Sequence, residues 1–296
     1  MFSIQRELPI CLSQVRTPPI KCQGIKSKIV PFILSNIKWN GKGVWRDPFM
    51  GSGVVSFNCA SQKAVLTDIN PHLINFYSAV KNGSITGPRI REFLEFHGKK
   101  LESSGIGITS YYYEMRDQFN ENHDSLYFLF LNRSAFNGLI RFNNKGNFNS
   151  PFNKIVTRFS QQYITKIINQ VLWVAQVIHT RGYFFRCCDW RDAIDGVSEN
   201  DFVYLDPPYY GRNTTYYDTW NEHDELQLVN KVKTLPCGYA LSSWVSDGYK
   251  ENPLIPLHFK DHIIRKVAHQ YFVGPKEENR PKMVEALIIK PGWAKK

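Results

Sequence analysis

Phe202-Val203-Tyr204-Leu205-Asp206-Pro207-Pro208-Tyr209 is an apolar run that stops on a carboxylate, two prolines and an aromatic ring. Four apolar residues bounded by turn residues predict a strand buried on both faces. In an open α/β sheet such a strand ends in the crevice where ligands bind. The prolines fix their own φ angles and restrict the residue before each, which aims the carbonyls of Asp206 and Pro207 in advance. A carboxylate and a carbonyl directed at one point suit the two N–H bonds of a planar exocyclic amine, and Tyr209 offers a face on which its ring can stack. Such an amine is a poor nucleophile until acceptors hold its hydrogens, so the chemistry that fits is its methylation. Taken alone the four residues also suit an ordinary strand-to-loop turn, so the rest of the chain decides.

Upstream, Val44 to Asp47 predicts a short strand running into Pro48-Phe49-Met50-Gly51-Ser52-Gly53, followed by a helix over Val54 to Ser61. A second strand, Ala64 to Thr67, stops at Asp68, and Asn70-Pro71 starts a helix with Leu73, Ile74, Tyr77 and Val80 on one face. Strand, glycine turn, helix, strand, acid is the plan of a nucleotide-binding βαβ unit. The glycines do not make a full dinucleotide fingerprint, and Asp47 at the strand end repels phosphate while suiting an ammonium. S-adenosylmethionine carries an ammonium and a sulfonium and no phosphate. Asp68 is placed for its ribose hydroxyls, and Asp189, after Cys187 and Cys188, for its adenine amine. Lys26, in the basic turn Lys21-Cys22-Gln23-Gly24-Ile25-Lys26 ahead of a helix at Ile29 to Ile37, is placed for its carboxylate. For each of the three acids taken singly, capping a helix or facing solvent explains it as well.

The middle of the chain changes character. Pro88 to Lys100 and Ser110 to Phe130 predict aromatic-rich helices, and Asn132 to Asn153 is a loop dense in Asn, Gly and Phe. A long helix over Gln161 to His179 returns to the core and leads to a strand over Gly182 to Cys187. Beyond the central strand come a loop over Tyr210 to Tyr217, a helix over His223 to Thr234, and strands near Gly238 to Ser242, His262 to Lys266 and Val284 to Ile289. The expected organisation is α/β: a catalytic core of residues 1–80 and 161–296, with residues 81–160 inserted as a helical subdomain carrying a hairpin at about 132–152.

Lys and Arg number 37 against 26 Asp and Glu, a net charge of +11. No acid occurs from Ser125 to Cys188, where eight residues are basic, and none from Leu8 to Arg46, where seven are. Two such stretches favour a polyanion over a merely solvated face. The six cysteines lack CxxC pairing and no His stands at zinc-ligand spacing, so no metal site is expected. Scattered thiols in a chain this size suit a reducing cytoplasm, and neither a signal peptide nor a membrane-length apolar run is present in the sequence.

Four stretches in order, Asp47 to Gly53, Leu131-Asn132-Arg133-Ser134-Ala135-Phe136-Asn137-Gly138-Leu139, Gly146 to Phe152 and Asp206 to Tyr209, resemble the Dam-like, D12-class (alpha group) N6-adenine-specific DNA methyltransferases. The resemblance runs from Lys21 to about Ile289. It implies a Rossmann-like methyltransferase sheet and transfer from S-adenosylmethionine to N6 of an adenine flipped out of duplex DNA, with S-adenosylhomocysteine as product. Asp206, Pro207, Pro208 and Tyr209 would hold the base. Lys26, Asp47, Asp68, Asp189 and Asp206 would contact the donor, with Cys22, Pro48, Phe49, Gly51, Gly53, Ile69 and Cys188 around them. Phe136 would wedge into the stack and Asn137 fill the gap, while Leu139 and Arg141 face base edges and Lys21, Arg133, Lys145 and Pro151 also reach DNA. An Arg bidentate to guanine is the commonest specific major-groove contact, which singles out Arg141. The chain departs from the family where Cys22 replaces a Trp and Gly24-Ile25 replaces paired glycines. A companion restriction endonuclease is a candidate partner. The competing readings are a cytosine-N4 or RNA-adenine methyltransferase and an inactive DNA-binding module of the same fold.

Overall fold

The computed structural model describes residues 14–107, 110–209, 220–246, 250–269 and 283–296. The loop read over 210–217 lies outside them, as do residues 270–282. In chain order come α1 (Val30–Asn36), β1 (Trp45–Asp47), α2 (Val54–Cys59), β2 (Ala64–Asp68), α3 (Pro71–Lys81), α4 (Gly87–Ser104), α5 (Tyr111–Asn122), α6 (Ser125–Ser134) and α7 (Gln161–Arg181). They are followed by β3 (Tyr183–Cys187), α8 (Trp190–Ala193), β4 (Phe202–Leu205), α9 (Glu222–Lys233), β5 (Gly238–Ser246), α10 (Leu254–His258), β6 (Ile263–His269) and β7 (Met283–Ile289).

The strands form one sheet of order β3-β2-β1-β4-β5-β7-β6, parallel except for β7, which runs antiparallel between β5 and β6. This is a Rossmann-like methyltransferase sheet, differing from the dinucleotide order by the reversed strand near one edge. Side chains alternate between its faces. Phe202 and Tyr204 of β4 pack with α1 to α7, whereas Val203 and Leu205 pack with α8, α9 and α10. All four are buried, which explains why β4 reads as an unbroken apolar run. Trp45 stacks on Phe202 at 5.3 Å and Tyr204 at 6.0 Å between ring centroids, locking β1 beside β4. Among the described residues no helix is long and apolar enough to cross a membrane.

The helices α4, α5 and α6 share the apolar core on the first face; Leu94, Phe119, Phe128 and Phe130 belong to the same cluster as Trp45 and Tyr204. The single helix expected over Ser110 to Phe130 is two. His123 takes the left-handed conformation and Asp124 caps the second helix by accepting from Leu126 and Tyr127 amides. The helix α7 runs two residues further than its apolar periodicity, to Arg181, because Gly182 supplies the left-handed turn that ends it. Strand β5 extends to Ser246 because β7 pairs with it. At the end of the chain Trp293 packs over Gly238, where a Cβ would lie 2.2 Å from the indole. The carbonyl of Trp293 accepts from Lys38 N, and Lys295 N donates to Asn36 O, so this segment braces the end of α1.

Asp201 ties β1 to β4 from below. It accepts from Val44 N at 2.9 Å, Arg46 Nε at 3.0 Å, and both the amide and hydroxyl of Ser198. Burial alone would raise its pKa, but these donors outweigh it and hold the carboxyl below its usual range. Replacing Asp201 with Ala is expected to cost about 1–3 kcal/mol at pH 7, since several partly buried donors lose their acceptor. A depressed folded-state pKa stabilises above the unfolded value and is lost as the carboxylate protonates. Urea denaturation should therefore show the gap between variant and native chain narrowing below about pH 4.

Candidate active site

The acids expected at strand ends do converge. Asp47 closes β1, Asp68 closes β2 and Asp206 follows β4, and these three strands are adjacent in the sheet. Asp47 is buried; its Oδ2 accepts from the hydroxyl of Ser56, which itself accepts from the Trp45 indole at 2.8 Å. Asp68 accepts from the amides of Gly51 and Asn70, both at 2.9 Å. Gly51 has φ +48, so the turn presents its amide to Asp68 in a conformation side chains disfavour. Desolvation pushes Asp47 up to about 7, against the opposing hydrogen bond from Ser56, and Asp68 up to about 6.

Asp206 pairs with Lys26 at 3.1 Å. The Lys26 ammonium, almost fully buried, also donates to Gly24 O at 3.1 Å and lies 4.9 Å from the centre of the Tyr209 ring. Burial raises Asp206 to about 6, with Lys26 opposing the shift and Glu285 adding to it. Lys26 was expected at a donor carboxylate; here it holds the acid of the Pro-Pro turn.

A cleft joins these groups. Cys22, Lys26, Asp47, Pro48, Phe49, Gly51, Asp68, Ile69, Asp189, Asp206 and Pro208 line it. Gly53, Cys188, Pro207 and Tyr209 are not among its lining residues. Gly53 caps α2 at φ +74, where a Cβ would meet the Phe57 ring at 2.5 Å; Cys188 donates its amide to Asp68 O. Asp189 caps α8 through the Arg191 amide and pairs with the Arg191 guanidinium at 3.0 Å, so the capping role foreseen as its alternative is realised. Sequence reasoning missed the aromatic wall, in which Phe49 lies 6.2 Å from Trp190 and 5.6 Å from Trp220. The position of Trp190 next to Asp189 was the one available signal. Trp220 had none, because it stands just ahead of α9, outside any periodic run.

The segment 132–152 folds as the expected hairpin, with bridges Ala135–Phe152 and Phe142–Phe148. Phe136 is 54% exposed on a 3-10 turn whose next residue, Asn137, is left-handed at φ 52. Asn137, Lys145 and Pro151 are exposed, and Lys21 and Leu139 half-buried. Arg141 donates from Nε and Nη2 to Asn149, at 2.7 and 2.8 Å, which orients its planar fork. Arg133 corrects its expected role. It is buried, donates to Pro19 O at 2.8 Å and to Gln170 at 3.2 Å, and lies over Tyr163, so it braces the fold and does not face DNA.

The family model for D12 class N6 adenine-specific DNA methyltransferases matches residues 23–271. The chain belongs to this family. The type II methyltransferase M1.LlaDCHI of Lactococcus lactis subsp. cremoris is 27% identical over 93% of this chain and 95% of its own length. The type II methyltransferase M.MjaIII of Methanocaldococcus jannaschii is 27% identical over 92% and 98%. A DNA adenine methylase of Serratia marcescens is 32% identical over 66% of this chain and 68% of its own. The reaction of a D12-class enzyme is methyl transfer from S-adenosylmethionine to N6 of adenine in DNA.

The cleft fits that donor. Three carboxylates with raised pKa values share a space walled by Phe49, Ile69 and Trp190, and a bound cation would relieve the cost of keeping them charged. Lys26 favours the ionised form of Asp206, so substituting Lys26→Gln should raise the pKa of that acid above about 6. The acid limb of the pH–kcat profile is then expected to move to higher pH in the methyltransferase variant. A limb unmoved between native and variant enzyme would show that another group controls it.

Proposed function

We propose that Asp206 and the Pro207 carbonyl hold the N6 amine of an adenine rotated out of duplex DNA, at the mouth of a donor cleft bounded by Asp47 and Asp68. The observation that carries this reading is Asp206 itself: a half-buried, ion-paired carboxylate that opens into the same cleft as the other two acids. Residues 1–80 and 161–296 serve as catalytic core in this reading, and 81–160 as the target-recognition insert.

When bound, S-adenosylmethionine supplies an electrophilic methyl on a sulfonium. Asp206 and Pro207 accept the amine hydrogens and favour a tetrahedral nitrogen as the methyl arrives, while Pro208 fixes the turn and Tyr209 stacks on the base. Lys26 keeps Asp206 ionised. The amine proton leaves once the nitrogen is cationic and acidic, so Asp206 need not be a strong base, which accords with its value near 6. Positioning and electrostatic stabilisation suffice for this transfer, without a metal as Lewis acid. Asp47 and Asp68 take the ammonium and the ribose hydroxyls, and Asp189 with Trp190 borders the adenine end.

Extruding the base costs a few kcal/mol. The exposed ring of Phe136 offsets this by entering the stack, and Asn137 fills the vacated space. Leu139 and Arg141 face base edges, with Lys21, Lys145 and Pro151 along the backbone. The two type II methyltransferases that match along nearly their whole length support a finer reading, modification within a restriction–modification pair, in the compartment that holds the DNA.

Sequencing of modified bases in DNA from cells expressing the chain should reveal N6-methyladenine in one sequence context; label confined to cytosine or RNA would overturn the reading. Asp206→Ala should lower kcat by about 10²-fold or more with duplex affinity retained. Arg141→Ala should relax discrimination at one base pair by about 1–3 kcal/mol. Uniform weakening on every sequence, with a shallower salt dependence, would make Arg141 a phosphate contact.

A further inference from the structure

Residues 21–26 form a strap that touches three sites. At one end Lys21 packs on Gly138 of the hairpin, and beside it Asn132, in the last turn of α6, accepts from the Lys21 amide at 2.9 Å and donates from Nδ2 to the Lys21 carbonyl at 2.8 Å. In the middle Cys22 sits over the glycine turn, its Sγ 3.9 Å from where a Cβ on Gly51 would lie. At the far end Lys26 reaches Asp206. Asn132 is completely buried, and its Nδ2 also approaches Gly138 O at 3.4 Å.

A side-chain amide that engages both backbone groups of one residue reproduces the pairing that a neighbouring strand would provide. Of the short side chains only Asn carries a donor and an acceptor on separate atoms; Ser and Thr have a single oxygen, Asp lacks the N–H and Gln is one methylene longer. The fit is close on the other side as well. Gly138, at φ +67, lets the Lys21 side chain lie directly on its backbone, and a Cβ there would fall 2.5 Å from Lys21 Cβ.

We propose that Asn132 is a positioning residue that couples donor binding to DNA binding, by pinning to the hairpin the strap whose opposite end sets Lys26 against Asp206. The inference rests on the assignment of cleft and hairpin proposed above. A hairpin shifted by DNA moves Lys21 through Asn132, and a strap shifted by the donor moves the hairpin. Coupling of this kind is reciprocal: each ligand changes the affinity of the other by the same factor.

The test is calorimetric titration of sinefungin, a stable donor analogue, into the full-length protein without and with a saturating duplex that carries the methylated sequence. The native chain should bind the analogue about fivefold or more tightly in the presence of the duplex. In Asn132→Ala the factor should fall to about one, since the strap no longer follows the hairpin. Gly138→Ala, which displaces Lys21 and leaves Asn132 intact, should do the same, and it decides the matter if the first variant does not fold. A merely structural role would weaken each ligand and leave the factor alone. A native factor of about one, or variants that keep the native factor, overturns the coupling while the site assignment stands. A native chain that binds neither sinefungin nor duplex overturns both.

Discussion

Desolvation of carboxylates at the ends of adjacent parallel strands is the constraint around which this protein is built. Keeping Asp47, Asp68 and Asp206 charged out of water costs free energy, as their raised pKa values record. The fold offsets part of that cost with directed donors: the Ser56 hydroxyl, the amides of Gly51 and Asn70, and the Lys26 ammonium. The remainder is available to a cationic ligand. The glycine turn and the aromatic packing of Trp45 against β4 hold the acids in one cleft, where they cannot separate into solvent.

Lys26 gives the Pro-Pro turn a counter-charge from a distant part of the sequence. Its ammonium lies between the Asp206 carboxylate and the Tyr209 ring, so an acid and an aromatic face assigned to the same base are organised by one cation. Arg133 and Asn132 extend the organisation outward by holding Pro19 and Lys21 through their backbone groups. The basic composition of 125–188 is therefore divided between two duties. Lys145 lies exposed at the surface, whereas Arg133 works as an internal brace.

The ends of the first four strands were legible because each is a short apolar run halted by an acid, whereas the reversed β7 between β5 and β6 was not. The caps of α7 at Ser160 and Gly182 were also written in the sequence. The break at His123 was legible in principle, since Asp124 is a good helix cap, but uninterrupted aromatic periodicity hid it. Three features depend on partners far along the chain and could not be read locally. Arg133 answers a carbonyl 114 residues away, Trp220 lines a cleft built mostly from far earlier residues, and Lys26 meets Asp206 from near the other end of the fold. Asp189 shows a different limit, because an acid before a helix looks the same whether it caps, binds or does both.

The brace between Trp293–Lys295 and the end of α1 orders events during synthesis. The bridge from Ile37 to Ala294 closes a loop of most of the chain, and such distant pairings form late. Helix α1 follows directly on the segment that carries Lys26, so that segment gains its final support only when the last strand of the sheet has emerged from the ribosome. A nascent chain would thus complete its basic stretch 125–188 well before the turn that holds Lys26 is braced.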